Sequence, residues 1–179
     1  MQERSRLALF ERTVQPHIRA AYNLARWMTQ NDQDAEDVVQ EACLRAFRSI
    51  EGFQDGDSRA WLLSIVRNAA YTWLHHNRNQ DLTVPFDDRL HDVAGESLDP
   101  ETIVLNRVDR DTLKQALEAL PVEFREVFVL REMEDLSYKQ IAEIASLPIG
   151  TVMSRLARAR KRLQEILAGR SGQGAKREL

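Results

Sequence analysis

Apolar residues in this chain recur mostly at intervals of three and four, and few segments alternate apolar and polar residues. Intervals of three and four place apolar side chains on one face of a helix, whereas a half-buried strand needs strict alternation. Glycine and proline, which interrupt helices, number only seven and five among 179 residues. The sequence therefore predicts an all-α protein.

One segment interrupts the helical pattern. Residues 81–98 contain five acidic residues against Arg89 as the only lysine or arginine, and they show no sustained helical period. We predict two small helical domains, residues 1–80 and 99–168, joined by this acidic flexible linker. Residues 169–179 are too polar and glycine-rich to pack, and are predicted to be a disordered tail.

Composition excludes several classes of protein. The formal net charge of −3 rules out a uniformly basic protein, and the single cysteine, Cys43, rules out a disulfide framework. No segment approaches the ~20 apolar residues of a membrane span, and the first residues lack the apolar run of a signal peptide. We therefore expect a cytoplasmic protein without membrane insertion.

The sequence offers no recognisable catalytic or cofactor site. It contains no phosphate-binding glycine loop, no metal-ligand cluster and no convincing pair of nucleophile and base. His75 and His76 are adjacent and would point to different sides of a helix, so they make a poor metal pair. We expect no enzymatic activity, no cofactor and no bound metal.

The segment 137–163 has the order of a helix-turn-helix. Ser137 and Gln140 form a capping-box pattern at the start of a short helix, and residues 147–150 form a tight corner before a second, basic helix. A second helix in this order typically lies in the DNA major groove. The residues expected to be buried are Ile141, Ala142 and Ala145 on the first helix, and Val152, Leu156, Ala159 and Leu163 on the second.

Basic residues concentrate here despite the acidic balance of the chain. Between residues 137 and 170 there are seven basic residues and two acidic ones, which suits binding to phosphates. A solvated basic face on an ordinary helical pair is the simpler alternative, and the ordered cap, corner and helix argue against it. The predicted duplex-DNA contacts are Thr151, Ser154 and Arg155 at bases, with Arg158, Lys161 and Arg162 further along the wet side.

Arg160 lies nearer the edge of the buried stripe and is expected to serve packing or an acidic neighbour. Ahead of the helix-turn-helix, two apolar sets are predicted to form its supporting core. They are Leu113, Leu117 and Leu120, then Phe124, Val127 and Phe128.

Two helices are predicted in the first domain. One begins with Asp34 as its cap and has an apolar face made mostly of small residues. By composition alone it is an ordinary amphipathic surface helix. The other spans residues 58–76 and carries polar, aromatic and basic groups on one side, which suits unstacked bases and a phosphate backbone. A buried aromatic stripe with a polar rim is an equally open alternative for it. The predicted core residues are Ala35, Val39, Ala42 and Ala46, then Trp61, Leu62, Ile65 and Ala69.

Four segments together resemble a known family. DAEDVVQEACLRAF, RAWLLSIVRNAAYTWL, LPVEFREVFVLREMEDLSYKQIAEI and PIGTVMSRLARARKRL occur in the order and spacing of bacterial RNA polymerase sigma factors of the extracytoplasmic-function (ECF) class. The resemblance covers about residues 7 to 167. It implies a dissociable polymerase subunit that directs the core enzyme to promoters and helps to open them.

The resemblance also implies site residues and partners. The first domain would dock on the clamp helices of the largest polymerase subunit and open the minus-ten promoter element, and the second would bind the minus-thirty-five element and the polymerase flap. An anti-sigma protein is a further implied partner. The implied polymerase contacts are Asp37, Gln40 and Glu41, and the implied minus-ten contacts are Arg67, Asn68, Tyr71, His75 and Arg78.

One position departs from the family pattern, and one alternative function stays open. Met153 stands where many members have Arg or Lys, so the DNA contact made by those cations is not carried over. The alternative is a helix-turn-helix regulator that acts without polymerase. Residues 34–78 discriminate between the two, because such a regulator more often carries a receiver or ligand pocket there.

Overall fold

A computed structural model describes the backbone of residues 2–78 and 110–174, and the side chains of residues 3–77 and 110–169. The regular structure in these ranges is helical, as the apolar periodicity predicts. The predicted linker, 81–98, lies outside the described residues. The helices are α1 (Gln2–Val14), α2 (Ile18–Thr29), α3 (Asp32–Ser49), α4 (Ser58–Arg78), α5 (Arg110–Glu118), α6 (Val122–Phe128), α7 (Tyr138–Ala145) and α8 (Ile149–Gly174).

In the first domain α2, α3 and α4 pack on one another, and α1 contacts α3 and α4. Their facing surfaces are rich in alanine, which lets helices approach closely, and larger residues such as Leu24 and Met28 fill the remaining space. The predicted apolar faces are confirmed only in part, because Val39, Trp61 and Ile65 are half-buried. Fully buried neighbours replace them: Val38 on α3, and Leu63, Val66 and Ala70 on α4.

The start of α3 lies three residues before the predicted cap. Asn31 has an extended backbone, and its side-chain oxygen accepts a hydrogen bond from the Asp34 amide at 3.0 Å. Asp34 is therefore inside the first turn, where a carboxylate is stabilised by the helix dipole. Either residue type can cap a helix, and the prediction of Asp34 as the cap was wrong.

In the second domain α6 lies at the centre and contacts α8, while α5 and α7 also pack on α8. The predicted supporting core is confirmed, with Leu113 half-buried and the other five residues buried. A π-helical turn, Val129–Met133, continues α6 towards α7. The long helix α8 extends through Gly174, so residues 169–174 are helical rather than part of a disordered tail. Adding residues to an existing helix avoids the cost of a new nucleus.

The two domains pack against each other, with α2 and α4 facing α6 and α7. Polar contacts join the surfaces: the Gln140 side chain donates to Asp57 at 2.6 Å and the Gln30 side chain donates to the Glu118 carbonyl at 2.7 Å. Asp57 is also the cap of α4, accepting from the Ala60 amide at 3.0 Å. That amide, and then Gln140, hold the pKa of Asp57 below its usual value.

Arg125 is a buried cation at the junction of the domains. Its guanidinium and Nε donate to the carbonyls of Leu117, Glu118 and Leu120 at 2.7–3.1 Å, and to the Trp27 carbonyl at the end of α2 at 2.8 Å. These carbonyls lie at or near helix ends, where intrahelical donors run out. Burial lowers the pKa of Arg125. The Arg125 side chain thus supplies hydrogen-bond donors to the carbonyls at the end of α5 and connects α5 to α2.

Replacing Arg125 with Met should destabilise the protein by about 2–4 kcal/mol, because apolar volume is kept while several buried carbonyls lose their donor. Urea unfolding followed by circular dichroism measures the change. Arg19→Met, at an exposed position of α2, is the matched control and should change stability by less than ~0.5 kcal/mol. Equal unfolding midpoints for the two variants would contradict the role of Arg125.

Candidate nucleic-acid and protein interfaces

The helix-turn-helix predicted from the sequence is present. Ser137 accepts from the Gln140 amide at 3.2 Å and Gln140 accepts from the Ser137 amide at 2.9 Å, which completes the capping box. Ser146, with φ 54° in the left-handed region, ends α7. The Pro148 carbonyl then accepts from the amides of Thr151 and Val152, which opens α8. The corner is therefore closed by backbone hydrogen bonds.

The buried stripe of α8 is confirmed, because Val152, Leu156, Ala159 and Leu163 are all buried. The opposite side of the helix is left to solvent or to a ligand. At its start, Ser154 is exposed and donates to the Thr151 carbonyl at 3.0 Å. Thr151 and Arg155 are half-buried. Met153, at 51% exposure, adds an apolar side chain to this polar set.

The remaining cations of α8 differ in their surroundings. Lys161 is exposed and Arg158 is half-buried. The Arg162 guanidinium lies 5.2 Å from the centroid of the Phe124 ring, so this side chain also packs on its own domain. Arg160 pairs with Glu132, as expected for a cation near the edge of the stripe.

On α3 the predicted polymerase contacts share one exposed face. Asp37, Gln40 and Glu41 are all exposed, and Glu41 pairs with Arg45 one turn along at 2.7 Å. The structure adds Leu44 to this face, with 54% of its surface exposed. Leu44 follows Asp37 by seven residues and Gln40 by four, so helical spacing alone could have identified it.

On α4 the predicted minus-ten residues are divided between two environments. Asn68 and His75 are exposed. Arg67 and Tyr71, one turn apart, instead face the second domain, and the Arg67 guanidinium lies 4.6 Å from the centroid of the Tyr71 ring. The fifth residue, Arg78, has a side chain outside the described residues. In this arrangement of the domains α4 is therefore divided between an open side and a side packed on the second domain, and its contacts with DNA stay a prediction.

The partner of Arg67 and Tyr71 is Glu126 of α6, whose side chain is completely buried. One carboxylate oxygen accepts from Arg67 Nε at 2.5 Å, and the other accepts from the Tyr71 hydroxyl. Burial, and then the Glu126 charge, raise the pKa of Tyr71 well above its usual value. The phenol therefore remains a donor at all physiological pH values.

A second buried carboxylate joins the same two domains. Glu134 accepts from Arg59 Nη2 at 2.5 Å and from the Asn23 side chain at 2.9 Å. Sequence reasoning missed both glutamates, because a charged residue in a helix or just after its end is expected to face solvent. Among the described side chains, no buried nitrogen or oxygen lacks a hydrogen-bond partner.

Neither a metal site nor a membrane span is found in the described part of the chain. No group of three His, Cys, Asp or Glu residues there is arranged to hold a metal ion. His75 and His76 are both exposed. None of the described helices combines the length and apolar character needed to cross a membrane.

Both halves of the fold match parts of one protein class. Residues 13–80 match the family described as Sigma-70 region 2, and residues 110–163 match Sigma-70, region 4. The first match includes α2, α3 and α4, and the second includes the helix-turn-helix. The fold and its two sites thus define a protein of the sigma-70 class.

The chain is also similar to curated proteins of one group within that class. It is 36% identical over 150 residues to the ECF RNA polymerase sigma-E factor of Haemophilus influenzae, covering 79% of this chain and 77% of the relative. It is 35% identical over 168 residues to ECF RNA polymerase sigma factor SigE of Mycolicibacterium smegmatis, covering 93% of this chain but only 64% of that longer relative. The chain belongs to the ECF RNA polymerase sigma factors.

Solved structures agree with this assignment. Sigma factor RpoE in its complex with the anti-sigma factor NepR from Bartonella quintana matches with a TM-score of 0.69 and 28% identity, covering 89% of this chain and 96% of RpoE. CnrH in complex with the cytosolic domain of CnrY matches with a TM-score of 0.61 and 23% identity, covering 89% of this chain and 88% of the other. At that identity the second match supports the fold alone.

Proposed function

We propose that this chain is a dissociable polymerase subunit that gives the core enzyme promoter specificity and performs no covalent chemistry itself. The observation that carries the proposal is the combination, in one chain, of a region 2 match and a region 4 match with a complete helix-turn-helix. A regulator acting without polymerase gains no support, because the region 2 match occupies the residues where its receiver or ligand pocket would be expected. We place the protein in the cytoplasm, where polymerase acts.

The α3 face is the proposed contact with the clamp helices of the largest polymerase subunit. Asp37, Gln40, Glu41 and Leu44 combine two carboxylates, an amide and an exposed apolar side chain on adjacent turns. An apolar centre with a polar rim is the usual composition of a protein interface. The polymerase flap is the proposed second contact, made by the second domain.

Glu41→Lys should weaken binding to core polymerase by roughly tenfold, because a carboxylate complementary to the partner becomes a repelling cation. Loss of the exposed Glu41–Arg45 pair costs only about 0.5 kcal/mol, so folding should persist. Fluorescence anisotropy of labelled protein titrated with core enzyme measures the affinity. Glu11→Lys, an exposed reversal on α1, is the control; an unchanged affinity for Glu41→Lys would remove this face from the interface.

The exposed side of α4 is the proposed contact with the minus-ten element. Asn68 is exposed, and we assign its side-chain amide to the edge of an unstacked base; His75, also exposed and two turns further along the same face, offers a ring for stacking. Extruding a base costs a few kcal/mol, which such contacts must recover. Arg67, Tyr71 and Arg78 are proposed to complete the set.

Asn68→Ala should reduce formation of the open promoter complex by roughly tenfold while leaving the closed complex nearly unchanged, because the amide acts only on an unstacked base. Permanganate footprinting of holoenzyme on promoter DNA measures melting. Thr72→Ala is the control, since Thr72 is an exposed neighbour whose hydroxyl donates to the Asn68 carbonyl. Unchanged permanganate reactivity in Asn68→Ala would exclude the residue from melting.

The outer side of α8 is the proposed contact with the minus-thirty-five element. Thr151, Ser154 and Arg155 lie in its first two turns and are assigned to base edges, and Met153 adds an apolar side chain among them. Arg158, Lys161 and Arg162 lie further along the helix and are assigned to phosphates. The two groups should therefore respond differently to sequence and to salt.

Arg155→Ala should cost about 1–3 kcal/mol on promoter DNA and blur preference at one or two positions, because a base contact is lost. Arg158→Ala and Lys161→Ala should weaken binding evenly across sequences and lower the salt slope by roughly one unit each. Holoenzyme binding to promoter and scrambled duplexes over a salt series separates the two effects. Arg160→Ala is the control, since Arg160 pairs with Glu132. Equal losses on both duplexes for Arg155→Ala would exclude base readout.

We also propose an anti-sigma protein as a regulator of this chain. RpoE, which matches over both domains, was solved with the anti-sigma factor NepR. The support is the similarity in fold and sequence to that sigma factor. The anti-sigma protein is expected to cover surfaces that otherwise bind polymerase.

A further inference from the structure

The strongest unexplained feature of the molecule is the position of Glu126. Its side chain has no solvent exposure, although carboxylates are rarely buried without a specific partner. It belongs to the second domain, yet both of its described partners, Arg67 and Tyr71, belong to the first. Arg67 retains only 16% of its side-chain exposure. The contact therefore partly buries two of the five residues proposed to bind the minus-ten element.

The hydrogen bonds that Glu126 accepts resemble those that a DNA phosphate would accept from the same two side chains. A carboxylate offers two anionic oxygen acceptors, and here one accepts from a guanidinium and the other from a phenol hydroxyl. A nucleic-acid phosphate offers anionic oxygens to the same donors, and arginine binds either group well. Glu126 and single-stranded DNA therefore compete for the same hydrogen-bond donors on Arg67 and Tyr71, and only one of them can bind these donors at a time.

A residue of the second proposed DNA-binding element also acts electrostatically on Tyr71. The positive charge of Arg155, in the first turns of α8, is near enough to lower the pKa of Tyr71, against the larger effects of burial and of Glu126. Arg155 is the residue proposed to read bases in the minus-thirty-five element. The charge of a residue from the other proposed DNA site thus acts on one of the two partners of Glu126.

Promoter geometry requires these contacts to break. The minus-ten and minus-thirty-five elements are separated by roughly 25 base pairs, or about 85 Å of duplex at 3.4 Å per pair. Direct hydrogen bonds between the two domains cannot persist across such a distance. Residues 79–109 join the domains, and a segment of that length reaches roughly 100 Å at full extension. The covalent connection therefore permits separation that the Glu126 contacts oppose.

We infer that Glu126 is an intramolecular latch: it holds the two domains closed by occupying Arg67 and Tyr71, and promoter DNA must displace it from them. The inference rests on the proposed function for its DNA contacts. The closed state is self-masking, because the domain that reads the duplex element covers residues that act on the melted element.

A buried ion pair can specify one arrangement of the domains without making that arrangement too stable to open. Removing a carboxylate and a guanidinium from water costs nearly as much as their attraction returns, so the pair adds little net stability. It specifies one arrangement of the domains, because any other buried arrangement would leave the Glu126 charge unpaired. When the domains separate, water solvates Glu126 again, and no unpaired buried charge is created. Opening is therefore accessible to a partner that binds Arg67 and Tyr71.

Glu126→Gln tests the latch in the full chain, because it removes the charge while keeping the shape. Spin labels on Glu11→Cys and Glu165→Cys, in a Cys43→Ser background, report the separation of the domains. Affinity for a fluorescent single-stranded oligonucleotide pool of mixed sequence, at fixed salt, reports unmasking. If the open fraction rises from about 5% to about half, the affinity should rise about tenfold. We expect longer label distances and this gain together.

Glu134→Gln is the matched control. Glu134 is also a buried interdomain carboxylate, but its partners, Arg59 and Asn23, are outside the proposed DNA sites. The Glu134→Gln variant should lengthen the distances between the spin labels no more than the Glu126→Gln variant does. Label distances that are unchanged in Glu126→Gln, or already long in the unmodified chain, would overturn the latch.

Adding Arg67→Ala to Glu126→Gln separates failure of the latch from failure of the proposed function. Loss of the gained affinity in the double variant would confirm Arg67 as a DNA contact and support masking. Open domains without any gain in affinity, and without an effect of Arg67→Ala, would overturn masking and remove Arg67 from the proposed minus-ten site. Closed domains with Arg67→Ala still weakening DNA binding would overturn the latch alone.

A second test leaves Glu126 in place, and so does not depend on the folding of its variant. Gln30→Cys and Glu118→Cys, again with Cys43→Ser, put thiols where the domains meet, since the Gln30 side chain contacts the Glu118 carbonyl. A short cleavable thiol crosslinker should hold the domains closed and lower oligonucleotide affinity at least fivefold, with recovery after cleavage. Full affinity in the crosslinked protein would overturn the inference.

Discussion

The arrangement of this molecule depends on the burial of α6 between the two domains. Five consecutive residues, 124–128, are buried, although two of them are charged. A helix of seven residues can be buried on every side only if its charged groups find partners. Arg125 finds backbone carbonyls from both domains, and Glu126 finds Arg67 and Tyr71. The opposite charges therefore point to different partners and fix α6 in place.

The two buried charges have different consequences. Arg125 binds mainly carbonyls of its own domain, at the end of α5, so its contacts belong to the folded state of that domain. Glu126 binds only side chains of the other domain among its described contacts, so its environment changes when the domains separate. One residue therefore serves folding, while its neighbour is suited to a conformational equilibrium. Mutations at adjacent positions should accordingly affect different properties.

Elements with strong local signals could be predicted accurately from the sequence. The capping box at Ser137 and the stripe from Val152 to Leu163 depend on spacing within one helix, and both are confirmed. The cap of α3 was misplaced because Asn31 and Asp34 have similar capping chemistry. For α4 the sequence left two alternatives open, because the helical period cannot tell a side chain buried against a distant helix from an exposed one. Arg67 and Tyr71 are such side chains.

The sequence by itself determined the helices, the helix-turn-helix and the membership of the sigma family, because each depends on residue type and spacing along the chain. It also placed Asp37, Gln40 and Glu41 on an exposed face, since a helix fixes the relative directions of its own residues. Only the tertiary structure decided that Glu126 would meet Arg67 across 59 residues. The contact depends on how the surfaces of two domains pack together, and the spacing of residues within one helix carries no information about that packing.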